Sequence, residues 1–176
     1  NDYAQADYYY VDKSSLPKVY GGFNTAFAYK GFELSAIFAY SIGGYIVDRD
    51  VTMLWSNGSN PGRAWSTEIL IRWTPENRDT DVPALRTVSN NWNSNSTRNL
   101  FNNSYLRMKN ITLSYDFPQP LIKKVSLTSL QLFVQADNLL TFSKNQGLDP
   151  EQGITGLTYN RYPAMRSISG GINVSF

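Results

Sequence analysis

The chain has 176 residues, of which 41% are hydrophobic, 14% are aromatic and only 17% are charged, and its net charge is +2. Because soluble domains carry about 25% charged residues, this composition favours a surface that faces lipid, sugar or both. The small net charge argues against a nucleic-acid partner, and the absence of cysteine and histidine excludes disulfides, zinc sites and histidine-dependent catalysis.

The first two predicted strands form a hairpin, near residues 19–30 and 32–42. In both runs apolar and polar residues alternate with a period of two, which is the pattern of a strand with one apolar and one polar face. Phe27 and Leu34, for example, belong to the apolar faces. The dipeptide Lys30–Gly31 between the runs predicts a tight turn.

A long, turn-rich segment near residues 43–103 follows the hairpin and contains all four tryptophans of the chain. Structureless loops of more than about 15 residues are uncommon in compact domains unless they carry function. Indole rings could stack on a sugar or on a partner protein, and they could equally pack the loop against itself. The candidate contacts with a substrate or partner are Trp55, Trp65, Trp73 and Trp92.

Three further predicted strands lie near residues 104–117, 129–142 and 165–176. A short connection joins the first two of them, whereas a second polar loop, near 143–164, precedes the last. The last run alternates between apolar and polar residues up to the terminal Phe176. Together with the hairpin, these runs give about five strands with a period of two.

The lengths, faces and connections of these strands favour a membrane barrel over a soluble β-sandwich. The runs reach about ten residues, the length that crosses a bilayer at a tilt, whereas strands of soluble domains usually have about five or six. Their polar face carries Asn, Ser, Thr, Gln, Ala and Gly rather than Lys and Glu, which suits a hydrated lumen. Long and short connections also alternate, as they do in outer-membrane barrels.

About five strands cannot close such a barrel, because bacterial single-chain barrels have an even number of strands from about eight upward. An open edge in lipid would also leave backbone groups without hydrogen bonds. The sequence therefore predicts that residues 1–176 form the C-terminal portion of a larger transmembrane antiparallel β-barrel. A self-contained barrel of about eight strands is an alternative, but it requires strands that the pattern does not show.

Several phrases occur in a fixed order from about residue 16 onward. They are "VYGGFNTAFAYKGFELSAIFAY", "RWTPENRDTDVPAL", "SYLRMKNITLSYDF", "SLQLFVQADNLLTFSKNQGLDPE" and "YPAMRSISGGINVSF". Taken together and in this order, they closely resemble the end of SusC/RagA-type TonB-dependent transporters, which are outer-membrane proteins of Bacteroidetes-type bacteria.

This resemblance implies a multi-pass outer-membrane barrel of about 22 strands, of which the chain would form about the last five. Segments near 1–18, 43–103 and 143–164 would then be extracellular loops. The resemblance further implies a SusD-like surface lipoprotein as partner, and a plug and a TonB contact in parts outside this chain. The implied activity is import of oligosaccharides or peptides, without enzymatic chemistry, cofactor or metal ion.

The end of the chain has a feature of outer-membrane barrels, which commonly finish on an aromatic residue that the assembly machinery reads as part of a terminal strand signal. The last strand supplies the alternation of apolar and polar residues that a membrane strand requires. The predicted signal residues are Ile168, Ile172, Val174 and Phe176.

Charged residues offer few candidates for chemistry. The clusters "DPEQ", with Asp149 and Glu151, and "ENRDTD" could hold a calcium ion or a catalytic acid and base, but their spacing matches no metal loop and loop carboxylates are usually solvated. Arg107 and Lys109 lie on the alternation phase that faces lipid further along their strand. Because a charge at mid-bilayer costs about 2–4 kcal/mol, they should lie beyond the membrane unless a bulge shifts the phase.

The alternative function is a secreted β-sandwich module that binds carbohydrate through Trp and Tyr rings. Such a module would fold alone and dissolve without detergent, whereas a piece of a barrel would do neither. The location of the apolar faces distinguishes the two, since a sandwich buries these faces in a core.

Overall fold

The computed structural model describes residues 5–55, 62–86, 94, 96–144, 149–151, 153–159 and 161–176. Its strands, in chain order, are β1 (Pro17–Tyr29), β2 (Phe32–Gly43), β3 (Tyr45–Asp48), β4 (Leu100–Asn102), β5 (Tyr105–Asp116), β6 (Ser129–Ser143), β7 (Leu157–Thr158) and β8 (Ser167–Ser175). Its α-helices are α1 (Arg49–Leu54) and α2 (Gln119–Ile122), and its 3₁₀ helices are Thr67–Ile71, Thr97–Asn99 and Lys123–Val125.

The chain divides into two compact units. The sheet unit comprises Pro17–Gly44, Asn103–Glu151 and Tyr162–Phe176, and it contains the five long strands. The loop unit comprises Asn1–Leu16, Tyr45–Asn102 and Gln152–Arg161, and it contains β3, β4, β7 and α1.

The sheet unit is an antiparallel sheet with the strand order β1-β2-β5-β6-β8. Lys30 (φ 49°) and Gly31 (φ 87°) form the turn between β1 and β2, at the position that the sequence predicts. Two left-handed residues make the turn whose twist matches that of the flanking strands. A side chain at Gly31 would also meet the backbone oxygen of Asp116 at 2.8 Å, so this position needs glycine for two reasons.

The strand register separates an apolar face from a polar face, because side chains directly opposite each other share a face. One row of the apolar face consists of Phe27, Leu34, Leu113, Val134 and Gly170. The adjacent row of the polar face consists of Ala26, Ser35, Thr112, Gln135 and Ser169. The bulky side chains of the apolar row are exposed, with Phe27 69% accessible.

Buried apolar side chains are few among the described residues, namely Ala36, Ile46, Ile122 and Ala136. A soluble sandwich would bury the bulky residues of its apolar faces in a core. In the sheet unit, the buried residues of the apolar face are two alanines, whereas its aromatic and branched side chains are largely exposed. The exposed face contradicts the secreted sandwich and fits a sheet that faces lipid.

The segment near 43–103 contains more regular structure than the loop that the sequence predicts. The short strands of the loop unit form a sheet in the order β4-β3-β7, in which β3 pairs antiparallel with β4 and parallel with β7. The Asp48 carboxylate begins α1 by accepting hydrogen bonds from the backbone N–H of Asp50 (2.9 Å) and Val51 (3.1 Å). Strands this short leave no readable period, and they form a separate sheet rather than completing a barrel of eight strands.

Helices are short throughout the described residues. In the sheet unit, α2 and the 3₁₀ helix Lys123–Val125 connect β5 to β6, and Ser126 ends them in the left-handed conformation (φ 59°). Ile122 of α2 is buried and anchors this connection. None of the helices in the described ranges has the length and hydropathy to cross a membrane.

Candidate functional site

A β-bulge turns Arg107 to the polar face near the end of the sheet where β5 begins and β6 ends, which we call the long-connection end. Asn110 and Met108 lie opposite consecutive residues of β2, so Lys109, between them, is the extra residue of a bulge. One extra residue shifts the alternation of side chains by one. Arg107 therefore lies opposite Ala39, on the polar face. The sequence leaves two explanations for charges on the lipid-facing phase, a position beyond the membrane or a bulge, and the structure contains a bulge.

Arg107 is the centre of a cluster of four charged residues. Its guanidinium Nη2 lies 2.5 Å from Asp149 Oδ1, its Nη1 donates to Glu151 Oε2 at 2.7 Å, and its Nε donates to Thr141 Oγ1 at 3.1 Å. Lys109 Nζ donates to both carboxylate oxygens of Glu151. The side chains of Arg107 and Asp149 are 4% and 10% exposed. We call Arg107, Lys109, Asp149 and Glu151 the ionic cluster.

Asp149 joins the ionic cluster to the segment that leads into β8. Its Oδ1 also accepts a hydrogen bond from the backbone N–H of Glu151 (2.9 Å), and its Oδ2 accepts one from the backbone N–H of Ala164 (2.6 Å). Burial raises the pKa of the Asp149 carboxyl, but these two hydrogen bonds, with the hydrogen bond and charge of Arg107, lower it further than burial raises it. The net pKa lies below its ordinary value, so the carboxylate stays ionised.

A hydrogen-bonded row of polar side chains crosses three strands beside the ionic cluster. Asn110 Nδ2 donates to Asp137 Oδ1 at 2.7 Å, and Ser167 Oγ donates to Asp137 Oδ2 at 3.0 Å. Thr112 Oγ1 donates to the side-chain oxygen of Asn110 at 2.9 Å. The row links β5, β6 and β8 on the polar face, which is therefore a hydrogen-bonded wall suited to water or a polar solute.

The geometry of the acidic clusters does not support the calcium or acid–base alternatives. The carboxylate oxygens of Asp149 and Glu151 face the N–H groups of Arg107 and Lys109. The expectation that Asp149 is solvated is wrong, because its side chain is only 10% exposed. In the "ENRDTD" cluster, Asp81 Oδ2 lies 3.5 Å from Arg98 Nη2 and forms an ion pair with it. Within the described ranges, no group of three or more acidic side chains is gathered for a metal ion.

Two of the four tryptophans predicted as contacts, Trp55 and Trp65, belong to the loop unit and are half-buried. Trp55 follows α1, and its ring meets that of Phe101 edge-on at 6.0 Å, with the Arg98 guanidinium 5.9 Å from the indole centroid. Trp65 is half-buried, and its Nε1 is buried without a hydrogen-bond partner among the described residues. The contacts of Trp55 fit the interpretation in which the rings pack the loop against itself.

Trp73 is placed differently, because it is 43% exposed. Its backbone N–H donates to Val82 O at 2.7 Å, which closes a compact loop. The residues around this loop line a cavity of about 360 Å³, which includes Trp73, Thr80, Asp81, Val82, Pro83, Ala84 and Arg86. Trp92 lies outside the described residues. Contact of any of these tryptophans with a substrate or partner stays a prediction.

The predicted signal residues of the last strand lie on the apolar face. Ile168, Ile172 and Val174 lie opposite Ala136, Leu132 and Leu130 of β6. Phe176 follows the end of β8 and is 92% exposed. The strand has the exposed alternation that a membrane strand requires, and its reading by an assembly machinery stays a prediction.

Sequence reasoning missed the pairing of Arg107 with Asp149 and Glu151. The available signal was a pair of charges on the wrong phase of a predicted strand, together with two carboxylates in a later loop. A buried charge in such a position is usually paired, so the acidic loop was the natural place to search for its partner.

Comparison with known proteins gives relatives much longer than this chain. No protein-family model matches. TonB-dependent receptor P3 of Formosa agariphila is 31% identical over 166 residues, which are 88% of this chain and 16% of that protein. TonB-dependent receptor P26 of the same organism is 27% identical over 93% of this chain and 17% of that protein. The chain thus spans less than a fifth of the length of these relatives.

Solved structures of the RagAB peptide importer superimpose on the chain. For the closed-closed state, the TM-score is 0.81 at 34% identity, and the match covers 94% of this chain and 18% of that chain. For the open-open state, the TM-score is 0.75 at 33% identity. These matches confirm that the five-stranded sheet is part of a transmembrane antiparallel β-barrel.

Proposed function

Because the chain belongs to the SusC/RagA-type TonB-dependent receptors, we propose that it forms part of the barrel wall of an outer-membrane importer. Its polar face lines the solute path, and its apolar face contacts lipid. The observation that carries this proposal is the exposed row of Phe27, Leu34, Leu113 and Val134, opposite a hydrogen-bonded polar face. The chain contributes wall and loops rather than a catalytic group.

The long connections, near 1–18, 43–103 and 143–164, face outside the cell, and the Lys30–Gly31 turn faces the periplasm. The alternation of long and short connections supports this orientation. This chain contains no cysteine, so in a receptor whose other parts carry none, single cysteines can be placed at two exposed positions, Asp79 in a long connection and Lys124 in a short one. A membrane-impermeant maleimide should label Asp79→Cys on intact cells and Lys124→Cys only after the outer membrane is permeabilised. The opposite labelling pattern would contradict the orientation.

The importer works with a SusD-like surface lipoprotein and receives energy through TonB, which it contacts through parts outside this chain. The family membership of the chain supports both partners. The complete receptor, purified through an affinity tag in mild detergent, should retain the lipoprotein in a stable complex. Recovery of the receptor without any lipoprotein, from cells that express both, would argue against this partner.

The solute is an oligosaccharide or a peptide. The similar solved structure is a peptide importer, and the exposed Trp73 ring beside the polar and charged residues of its cavity would suit either class of solute. Uptake of a labelled oligosaccharide and of a labelled peptide should be compared in cells with and without the receptor. Trp73→Ala should slow uptake if this ring contacts the solute, whereas Leu70→Ala, at another exposed apolar residue of the loop unit, should not. Equal uptake with and without the receptor would exclude import of that class.

A further inference from the structure

Two aromatic rings flank a leucine on the lipid-facing side of the sheet, near the long-connection end. Tyr40, Leu106 and Phe142 are direct neighbours on β2, β5 and β6, so they share the apolar face. On the next strand Gly21 lies opposite Tyr40. A Cβ atom at Gly21 would lie 3.0 Å from the Tyr40 hydroxyl, so the Tyr40 ring inclines over β1 and away from Leu106.

This inclination leaves a groove over Leu106. The groove has a volume of about 540 Å³, and its walls and floor are mainly apolar. Because neighbouring strands are about 4.8 Å apart, Tyr40 and Phe142 stand about 10 Å apart at their backbones, which leaves room for one hydrocarbon chain between their rings. The lining residues are Phe23, Tyr40, Ser41, Ile42, Ser104, Tyr105, Leu106, Phe142, Ser143 and Lys144.

The surroundings of the groove restrict its occupant. It opens on the face that contacts lipid, where water is costly to hold and where an unfilled space forfeits the dispersion contacts of its lining. A lipid acyl chain supplies those contacts. Lys144, which is exposed, is the one charged residue among the described residues that line the groove. A cation beside an acyl-chain groove attracts the phosphate of a lipid headgroup.

We propose that the groove binds one phosphate-bearing membrane lipid, whose acyl chain lies along Leu106 between Tyr40 and Phe142. The lipid phosphate is held by Lys144, which lines the groove. The proposal rests on the lipid-facing assignment of the apolar face, and it is independent of the solute that the receptor imports.

The test is native mass spectrometry of the complete receptor, delipidated in detergent and then titrated with phosphatidylglycerol or with diacylglycerol of the same chains. The wild type should retain one phosphatidylglycerol per receptor. Leu106→Trp fills the floor of the groove and should abolish this retention. Leu113→Trp adds the same ring on the same face of β5, away from the groove, and should leave retention unchanged.

Two further variants separate the contribution of the lipid acyl chain from that of the lipid headgroup. Lys144→Gln should weaken retention of phosphatidylglycerol about fivefold and leave that of diacylglycerol unchanged, because it removes one cation near the phosphate. Gly21→Val should push the Tyr40 ring back over Leu106 and close the groove without replacing any residue that lines it. This variant keeps the test valid if Leu106→Trp fails to fold.

Equal retention by Leu106→Trp and Leu113→Trp would overturn the proposal. If Lys144→Gln retained phosphatidylglycerol as strongly as the wild type does, the proposed contact between Lys144 and the phosphate would be overturned. Association of two receptor copies through this groove, if it were lost in Leu106→Trp, would also overturn the proposal that a lipid occupies the groove.

Discussion

At the scale of single residues, the bulge at Lys109 resolves a conflict between charge and lipid. Without it, Arg107 would lie on the lipid-facing phase, where a charge costs about 2–4 kcal/mol at mid-bilayer. With it, Arg107 lies on the polar face and meets two carboxylates and a hydroxyl. Because buried ions lose hydration, such a pair contributes little net stability, but removing one partner is costly.

Arg107→Gln should therefore loosen the segment that leads into β8. The change removes the guanidinium that lies 2.5 Å from the buried Asp149 carboxylate, at a cost of about 3 kcal/mol. Amide hydrogen exchange at Ala164, whose N–H is held by Asp149, should accelerate accordingly. Lys109→Gln is the matched control, because Lys109 is 34% exposed and its loss should cost less than about 1 kcal/mol. Equal acceleration in both variants would contradict the central role of Arg107.

The same contact should respond to acid. The folded-state pKa of Asp149 lies below its ordinary value of 3.8, so the folded state binds fewer protons there than the unfolded state. The carboxylate thus contributes stability that is fully present above 3.8 and is lost as the pH falls through the folded-state pKa. Protection of the Ala164 amide, corrected for intrinsic exchange, should be constant from neutral pH down to about 4 and fall below it. A loss of protection that begins near neutral pH would argue against control by Asp149.

At the scale of elements, the register of β8 on β6 depends on a glycine under an aromatic ring. A Cβ atom at Gly171 would lie 2.6 Å from the ring of Phe133, which is opposite it on the polar face. Glycine-rich strands define their pairing register only weakly, so close contacts such as this one are needed to fix the register of β8 on β6. The side-chain hydrogen bond from Asn173 to Gln131, at 3.0 Å, fixes the same register two residues further along.

Gly171→Val should destabilise the pairing of β6 with β8 by about 1–3 kcal/mol, since the Phe133 ring has to move. Gly170→Val is the matched control on the neighbouring residue. It points to the lipid-facing side, where the nearest atom to an added Cβ is Phe133 O at 3.3 Å. The measurement is the temperature at which the complete receptor loses its folded mobility on electrophoresis. A larger drop for Gly170→Val would contradict the fitted contact.

At the scale of the whole molecule, the sheet has two edge strands, β1 and β8, that pair with no further strand among the described residues, and it has one exposed apolar face. In the isolated chain, water would contact the aromatic and branched residues of that face, and the edge strands would pair with other copies of the chain. In the relatives, the chain corresponds to less than a fifth of a longer protein.

The 176-residue chain produced alone should therefore sediment from detergent-free buffer. Its apolar face and both sheet edges favour association over a dissolved monomer. Analytical ultracentrifugation with and without detergent measures this directly. A homogeneous 19.9 kDa species in plain buffer would contradict the lipid-facing assignment.

The five long strands, their two faces and the resemblance to SusC/RagA-type receptors are all predicted from the amino-acid sequence, and the relatives confirm the resemblance. These features are local, because a period of two can be read from consecutive residues. The side of the sheet on which Arg107 lies and the groups that it binds depend instead on the three-dimensional fold. Its carboxylate partners lie 42 and 44 residues away along the chain. The charges on the wrong phase leave a bulge as one of two explanations, and only the pairing of β5 with β2 locates the extra residue that brings Arg107 to the side of the sheet where its partners lie.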